Sequence, residues 1–317
     1  MHGLKSIFSI ILAFGTYMCQ PDPASDSGSS CQTNNANNEP DGGLTCGESF
    51  DLSNGQGGPG VFAAKVSQYV HVNSAGIVET DTMSKLFLKI EYHVNEDPMF
   101  ARVEICRLEI PAVEIPGQPN PAKMSLRPSL FANADKTEVT LTKDGDTTCS
   151  TVSTSAAPIL FGIRLQDEMN DRVPKDADNL CPDGGVERYQ SPCIYDMDED
   201  GELGVTLDAQ NIPGIEVTQV FMAMRSWTST SGLVAHSDLI LGEADWGLEQ
   251  FAIGCKLIPV GTSEERYCTN EEKDVVDNVN PVLGPMEDTP ASFMAVRIAP
   301  EMSCPEILEN ELELFGR

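Results

Sequence analysis

Residues 196–206 hold the clearest candidate for a chemical site, and this segment, here called the acidic loop, reads Asp-Met-Asp-Glu-Asp-Gly-Glu-Leu-Gly-Val-Thr. Carboxylates stand at the alternate positions Asp196, Asp198 and Asp200, and Gly201 follows at once. A hard divalent cation such as Ca²⁺ takes several oxygen ligands at short range. Alternate residues of a tight loop can turn their oxygens toward one centre, and glycine relieves the turn. The spacing therefore predicts a calcium site.

The acidic loop resembles the DxDxDG loops of EF-hand, dockerin and thrombospondin type 3 proteins. This resemblance implies that Asp196, Asp198 and Asp200 are side-chain ligands and that Glu202 contributes its backbone carbonyl. An EF-hand loop closes with a bidentate Glu at its twelfth position, and Leu207 stands there in this chain. No flanking helices are predicted either, so we expect a site that is incomplete or borrows ligands from elsewhere. The alternative is a solvated acidic turn without a cation.

A longer part of the chain, from Ile105 to Cys255, resembles a group of uncharacterised bacterial lipoproteins. The shared features are the acidic loop read as DxDxDGxxGVT, the strand FMAMRSW after it, and the strand pair LILGEADWGLEQFAIG. The segments IPAVEIPG and ILFGIRLQDEMNDRVPKDAD, which precede the loop, also fit the pattern. The resemblance implies an exported, lipid-anchored protein, and the group has no established activity to carry over.

The N-terminus reads as a targeting segment. Residues 6–18 (SIFSIILAFGTYM) are apolar and follow Lys5, a length that fits the hydrophobic part of a signal peptide and is too short to span a bilayer. Cys19 comes directly after them, where a bacterial lipoprotein carries its diacylated cysteine. The preceding residues, 16–18, depart from the usual lipoprotein pattern. We therefore expect a signal peptide over 1–18 and lipidation at Cys19, with ordinary cleavage after Gly15 as the alternative.

Residues 19–58 are predicted to form a disordered acidic tether. They are rich in Ser, Asn, Gly, Pro and Asp, and no Lys or Arg occurs between Lys5 and Lys65. Such a segment cannot bury enough apolar surface to offset its ordering entropy, and as a flexible coil it would span about 35 Å. Residues 59–317 are then a β-rich extracytoplasmic domain. The acidic stretch near 170–200 is either a possible subdivision or a long loop within one domain.

Alternation of apolar and polar residues predicts many strands and little helix, which favours an all-β fold, an antiparallel β-sandwich or barrel with long loops. The proline-rich stretch Ile110–Pro128 is predicted to be a crossing loop or an edge segment, because proline cannot donate in a central ladder. Helical spacing is found at Pro305–Phe315. The predicted strands include Phe62–Val72, Leu86–Val94, Ile159–Leu165, Val217–Trp227, Leu233–Leu241, Phe251–Leu257 and Phe293–Ile298.

Arg225 stands on an otherwise apolar strand, and Asp245, Trp246 and Glu249 stand on a later one. The favoured interpretation is a structural ion pair between Arg225 and one of these acids, with Trp246 filling the core. The alternative is a binding pocket formed by the same residues.

The ten cysteines read as disulfides, because a signal peptide leads into an oxidising compartment. No CxxC pair occurs, and no Cys/His cluster has zinc spacing. Cys181 and Cys193 bracket a loop containing Gly and Pro just before the acidic loop, and we predict that they are bonded to each other. Cys255 and Cys268 bracket another short loop.

The charge balance excludes some classes of binding partner. The chain has 20 Lys+Arg against 49 Asp+Glu, a formal net charge of −29, which argues against binding nucleic acid or anionic lipid through a basic patch. No nucleophile elbow, P-loop, HExxH or dinucleotide fingerprint is present.

The sequence favours a non-enzymatic, membrane-tethered extracytoplasmic lipoprotein with a structural or binding role and a calcium-stabilised loop. The expected location is the bacterial cell envelope, at the outer membrane or in the periplasm, or outside the cell. One alternative is a β-barrel that binds a small molecule or lipid. The other is an extracellular hydrolase whose catalytic acids cannot be recognised among so many.

Overall fold

The computed structural model describes residues 46–74, 78–114, 117–175, 193–212, 216–279, 282–286 and 289–316. The predicted signal peptide, Cys19, Cys181 and most of the predicted tether lie outside these residues. In the described part of the chain, no helix is long and apolar enough to cross a membrane.

The described residues form twelve strands and four short helices. In chain order these are β1 (Gly60–Ser74), β2 (Val78–His93), β3 (Phe100–Glu109), β4 (Lys123–Leu126), α1 (Pro128–Asn133), β5 (Thr137–Lys143), β6 (Thr151–Phe161), β7 (Val205–Gln210), β8 (Val217–His236), β9 (Leu239–Leu257), β10 (Arg266–Tyr267), α2 (Asn270–Val279), β11 (Val282–Pro285), β12 (Ala291–Arg297), α3 (Cys304–Glu309) and α4 (Glu311–Phe315).

The strand pairings close into a ring. Neighbouring strands follow the order β9-β12-β1-β2-β3-β5-β6-β8, and β8 pairs again with β9. Every one of these pairings is antiparallel. The predicted all-β antiparallel fold is confirmed, and of the two predicted forms the pairing order gives the barrel, because the ring of eight strands returns to its start.

Strands outside the ring extend it at one end. β6 and β7 pair with the same edge of β8, one after the other, since Phe161 lies opposite Met224 and Val205 opposite Met222. β4 pairs with β7, β10 with β9, and β11 with β1. The proline-rich stretch therefore contributes an edge strand, β4, as the prolines predicted.

The barrel interior is the main hydrophobic core. The predicted apolar faces of β1 and β2 point into it, and Phe62 and Tyr92 pack edge to face with ring centroids 5.3 Å apart. Trp246 on β9 is 6% exposed, so the prediction that it fills the core is confirmed. Burial of these side chains supplies the hydrophobic stabilisation of the fold. The buried residues of β1 and β2 that face this core include Phe62, Ala64, Val66, Val70, Val72, Leu86, Leu88, Ile90 and Tyr92.

The strand predicted for Ile159–Leu165 is wrong in its second half. β6 ends at Phe161, and Gly162 turns the chain with φ +70°. Ile163 and Leu165 are buried in a second cluster that includes Phe221 of β8 and Ile253 of β9. This cluster contains none of the residues of the main core. Alternation alone could not distinguish the two clusters, because both bury apolar side chains.

Two further segments differ from their predictions. Leu233–Leu241 is the turn of the β8–β9 hairpin and not one strand. The helix predicted over Pro305–Phe315 is divided at Asn310 into α3 and α4. The start of α3 carries a capping box between Ser303 and Glu306, which satisfies two backbone N–H groups.

The folded domain begins earlier than the predicted tether boundary at Gly58. Phe50 and Leu52 are buried in the main core, and Cys46 is bonded to Cys149. The Arg297 guanidinium of β12 also donates to the backbone carbonyl of Ser53 at 2.9 Å. Two apolar residues and a disulfide fix this segment. The prediction missed them because it rested on the polar average composition of residues 19–58.

Three disulfides join the described cysteines: Cys46–Cys149, Cys106–Cys304 and Cys255–Cys268. Cys193 is also disulfide-bonded, and because Cys181 lies outside the described residues, their pairing stays a prediction. Disulfides of this number are compatible with an exported or extracellular protein.

The Cys106–Cys304 bridge is expected to stabilise the fold more than the Cys255–Cys268 bridge. It closes a sequence separation of 198 residues against 13, and restriction of the unfolded chain grows with loop length. Replacing both members of a pair by Ser should lower the free energy of unfolding by about 5 kcal/mol for the long bridge and about 3 kcal/mol for the short one. Urea unfolding of the two double variants measures this, and a smaller loss for the long bridge would contradict it.

Candidate metal centre

The barrel positions the acidic loop through a short backbone ladder. The N–H of Tyr195 donates to the carbonyl of Gly162 at 3.0 Å, and the N–H of Gly204 donates to the carbonyl of Tyr195 at 3.1 Å. The N–H of Met197 returns to the carbonyl of Gly204 at 3.2 Å. The loop is thus fixed to the end of β6 on one side and to the start of β7 on the other.

Gly162 and Gly204 permit the close approach that this ladder needs. Both have positive φ, +70° and +91°, which glycine adopts without steric cost. A Cβ on Gly162 would lie 2.5 Å from the Cα of Gly204, and a Cβ on Gly204 would lie 2.5 Å from the backbone oxygen of Met222. No other residue type fits either position without moving the backbone.

The structure brings together the three predicted side-chain ligands. Asp196, Asp198 and Asp200 each offer a carboxylate oxygen, and these oxygens lie within 4.8 Å of one another. Asp198 is 3% exposed, and the other two are half-buried. The cluster can hold a metal ion through oxygen ligands.

Backbone and hydroxyl donors orient these carboxylates. Asp196 accepts hydrogen bonds from the N–H groups of Asp200 at 3.2 Å and Gly201 at 2.8 Å. The N–H of Thr206 donates to Asp198 Oδ2 at 3.0 Å, and its hydroxyl donates to Asp200 Oδ2 at 2.6 Å. The oxygens are therefore held in place by the loop and by the start of β7, without needing an ion to collect them.

One oxygen of this cluster is left without a partner. Asp198 Oδ1 is buried and accepts no hydrogen bond from the described residues. Burial raises the pKa of Asp198, the N–H of Thr206 lowers it, and the charge of Asp200 raises it again, with a net rise. A buried charged oxygen without a donor is costly, and a cation at the cluster would remove that cost.

Arg127, at the junction of β4 and α1, supplies one positive charge to the acidic loop. Its Nη1 donates to Asp200 Oδ2, and its Nη2 donates to Asp208 Oδ1 at 3.4 Å. The segment from Asp196 to Glu202 contains five acidic residues, so one guanidinium neutralises only part of their charge. Sequence reasoning missed Arg127, because no local pattern links it to a loop so far along the chain.

The Glu202 carboxylate is directed away from the cluster. It lies 2.8 Å from the Lys256 ammonium and accepts a hydrogen bond from the Tyr267 hydroxyl at 2.6 Å. The predicted ligand role of Glu202 therefore depends on its backbone carbonyl, as the sequence analysis assigned it.

Two further contacts hold the surroundings of the loop. The side-chain amide of Asn133, the last residue of α1, donates to the carbonyl of Met197 at 3.1 Å. Arg225 pairs with Glu249 and donates to the carbonyls of Glu168 and Asp171 at 3.0 and 2.7 Å. The predicted ion pair of Arg225 is thus confirmed, and it fixes the segment that leads into the acidic loop.

Comparison of this chain with protein-family models, with curated proteins and with solved structures finds no match. Its function must therefore be argued from the arrangement of its own residues.

Replacement of Gly204 by Ala tests the close approach that positions the loop. Both the positive φ and the contact with Met222 oppose a Cβ there, so we expect a loss of about 2–4 kcal/mol in the free energy of unfolding. Gly201→Ala is the matched control, because Gly201 has the same φ of +91° and a Cβ added to it would meet no atom within 4 Å. Urea unfolding compares them, and equal losses would show that close packing at Gly204 is not the constraint.

Proposed function

We propose that the protein is an exported, lipid-anchored and non-enzymatic domain of the bacterial cell envelope, with a binding role and a Ca²⁺ ion in its acidic loop. The observation that carries the calcium site is the buried Asp198, whose Oδ1 has no hydrogen-bond partner among the described residues. The carboxylates of Asp196 and Asp200 lie beside it, and the carbonyl of Glu202 completes the proposed protein ligands.

The donor set favours calcium over other metals. All proposed ligands are oxygens, whereas zinc sites use mainly sulfur and nitrogen. Mg²⁺ demands near-ideal octahedral geometry and keeps several waters, whereas Ca²⁺ tolerates irregular loops of carboxylates and carbonyls. The position of the closing Glu of an EF-hand is Leu207, so affinity should fall in the weak range of extracellular modules, about 10⁻⁴ to 10⁻³ M.

The proposed location follows from the N-terminal sequence and is supported by the disulfides. Cys19 follows the apolar segment directly, and the folded domain begins by Cys46. The intervening residues would hold the domain clear of the membrane surface. Diacylation of a cysteine gives two acyl chains, which is what stable membrane anchoring requires.

The binding role is assigned to the outside of the barrel. The interior space beside Val70, Met224 and Trp246 has a volume of about 60 Å³, which is small against the roughly 300–1000 Å³ of ordinary ligand pockets. The described interior is filled by side chains, and this gives no support to the alternative of a barrel that encloses a lipid.

Asp198→Asn tests the calcium site. With Ca²⁺ at about 100 times its dissociation constant, the wild type should gain about 2.7 kcal/mol, or about 5 °C in Tm, relative to the protein in chelator. Asp198→Asn should lose this gain, because its neutral amide cannot replace a charged ligand. Thermal melts in calcium and in chelator measure both proteins.

Glu199→Gln is the matched control, because Glu199 is exposed and outside the cluster, so its calcium shift should persist. In chelator, Asp198→Asn should be at least as stable as the wild type, since the substitution removes a buried charge. Equal wild-type melting temperatures in calcium and in chelator would contradict the calcium site. The acidic loop would then be a solvated turn without a cation. A shift that survives Asp198→Asn combined with Asp200→Asn would place the cation elsewhere.

Cys19→Ala tests the anchor. The wild type extracted from membranes should have the mass of a chain that begins at Cys19 and carries acyl groups, and Cys19→Ala should be released from the membrane fraction. Intact-mass spectrometry and fractionation measure this. A mature wild-type chain that begins at Thr16 without lipid would contradict the proposal.

A further inference from the structure

The backbone on both sides of Arg127 places it beside the acidic loop. Leu126, the last residue of β4, pairs with Leu207 of β7, and the acidic loop ends at the residue before Leu207. The carbonyl of Arg127 accepts the N–H of Leu130 at 3.2 Å where α1 begins. Leu130 is fully buried in the main core. The barrel itself therefore presents the Arg127 guanidinium to the loop.

Asp200 is the carboxylate of the cluster that this guanidinium contacts. Its Oδ2 accepts hydrogen bonds from Arg127 Nη1 and from the Thr206 hydroxyl, the latter at 2.6 Å. Its Oδ1 accepts the N–H of Glu202 at 2.8 Å. Arg127 Nη2 donates to Asp208 Oδ1 at 3.4 Å, outside the cluster. Both oxygens of Asp200 thus have donors from the chain itself.

The three carboxylates of the cluster are compensated unequally. Asp196 accepts two backbone N–H groups, and Asp200 accepts a full positive charge from Arg127. Asp198 is 3% exposed, and its Oδ1 has no hydrogen-bond partner among the described residues. In the described part of the chain, Arg127 alone among the Lys and Arg residues forms an ion pair with a carboxylate of the cluster. One positive charge therefore faces three negative ones, and it does not reach the oxygen that lacks a donor.

Water screens the charge of Arg127 only in part. The Arg127 side chain is 26% exposed and that of Asp200 is 9% exposed, and partly buried charges are screened less than exposed ones. Asp198 also interacts electrostatically with the guanidinium. The carboxylate oxygens of the cluster lie within 4.8 Å of one another. A divalent ion among them would be attracted by the aspartates and repelled by Arg127.

We propose that Arg127 is an internal counter-ion of the acidic loop, which pairs with Asp200, holds the loop together when no cation is bound, and lowers its affinity for a cation. The guanidinium and the cation are two ways of neutralising the same carboxylates. Because such coupling is reciprocal, a bound cation weakens the pairing of Arg127 with Asp200 by the same factor. The inference rests on the calcium site proposed above and names the residue that sets its affinity.

The two effects of a counter-ion have opposite signs, which distinguishes it from a purely structural ion pair. Loss of a structural pair disorders the loop and weakens cation binding. Loss of a counter-ion lowers stability in the absence of the cation but tightens binding, because a repulsion between like charges is removed. The direction of the change in affinity therefore separates the two roles.

Arg127→Gln tests the inference by isothermal titration calorimetry of the purified protein with Ca²⁺. We expect its dissociation constant to be lower than that of the wild type by a factor of about five or more. Its melting temperature in chelator should be below that of the wild type, and saturating Ca²⁺ should restore most of the difference. An unchanged or higher dissociation constant would overturn the inference.

Two control variants separate the local charge from other effects. Arg102→Gln changes the net charge equally, and Arg102 pairs with Glu138 at 2.7 Å and with Glu91, neither of which belongs to the acidic loop. Its dissociation constant should equal that of the wild type. Arg127→Lys keeps the charge and should recover most of both effects. The inference is wrong if either control binds Ca²⁺ as tightly as Arg127→Gln.

Asp198→Asn in the Arg127→Gln background locates the tightened binding. Asp198 belongs to the cluster but forms no ion pair with Arg127, so its substitution removes a proposed ligand and not the partner of the guanidinium. The double variant should lose the gain in affinity. A gain that persists would place the responding cation elsewhere on the chain and overturn the inference.

The calcium site and the counter-ion can fail separately. If the wild type binds Ca²⁺ and Arg127→Gln binds it no more tightly, only the inference fails. If Arg127→Gln alone binds Ca²⁺, the calcium site of the wild type is contradicted and the inference is supported. If neither protein binds Ca²⁺, both proposals are overturned. If Arg127→Gln does not fold even in saturating Ca²⁺, the cation does not replace the guanidinium, and the inference is overturned.

Discussion

The pairing of β8 with β9 is the constraint on which the rest of the structure depends, because it joins the two ends of what would otherwise be an open sheet. It runs from the turn at His236 and Leu239 to Val217 and Leu257. Both strands are longer than their neighbours in the ring, and their far halves extend beyond β6 and β12. That extension receives β7 and β10, and through β7 it carries the acidic loop. The acidic loop thus depends on the hairpin that closes the barrel.

The acidic loop shows how a folded scaffold can hold charges that would repel each other. Its carboxylates are placed by backbone N–H groups, by Thr206 and by Arg127, so the geometry exists before any cation arrives. The buried carboxylate oxygen that lacks a hydrogen-bond partner among the described residues belongs to Asp198, which is also the most buried member. Preorganisation and an unmet electrostatic need at one oxygen are the two properties that a cation site requires.

Sequence reasoning succeeded where the relevant contacts are periodic or local. The alternation from Phe62 to Val72 predicted the inner face of β1, and the spacing of Asp196, Asp198 and Asp200 predicted their convergence. It failed where partners are distant, since nothing near Arg127 indicates an approach to Asp200. The choice between barrel and sandwich was left open for the same reason, because the ring also needs the pairing of β1 with β12, which are distant in sequence.

Helix α2 was missed although a local signal exists. Thr269 and Glu272 exchange capping hydrogen bonds, with the Thr269 N–H donating to Glu272 Oε2 at 2.8 Å. The Glu272 N–H donates to the Thr269 hydroxyl at 3.3 Å. This Thr-x-x-Glu spacing is a helix-start signature. The Arg266 guanidinium lowers the pKa of Glu272 to about 2, so its carboxylate keeps its charge for this role across ordinary pH.

The close approach of Gly162 and Gly204 also bears on how the chain tolerates change in length. Phe161 and Val205 occupy successive places along one edge of β8, so the residues between the two glycines are an excursion from what would otherwise be one continuous strand. The pairing of β6 and β7 with β8 holds the two ends of that excursion close together. Each doubling of a flexible loop costs only about 0.6 kcal/mol more. Segments of quite different length can therefore be accommodated here without disturbing a single pairing of the ring.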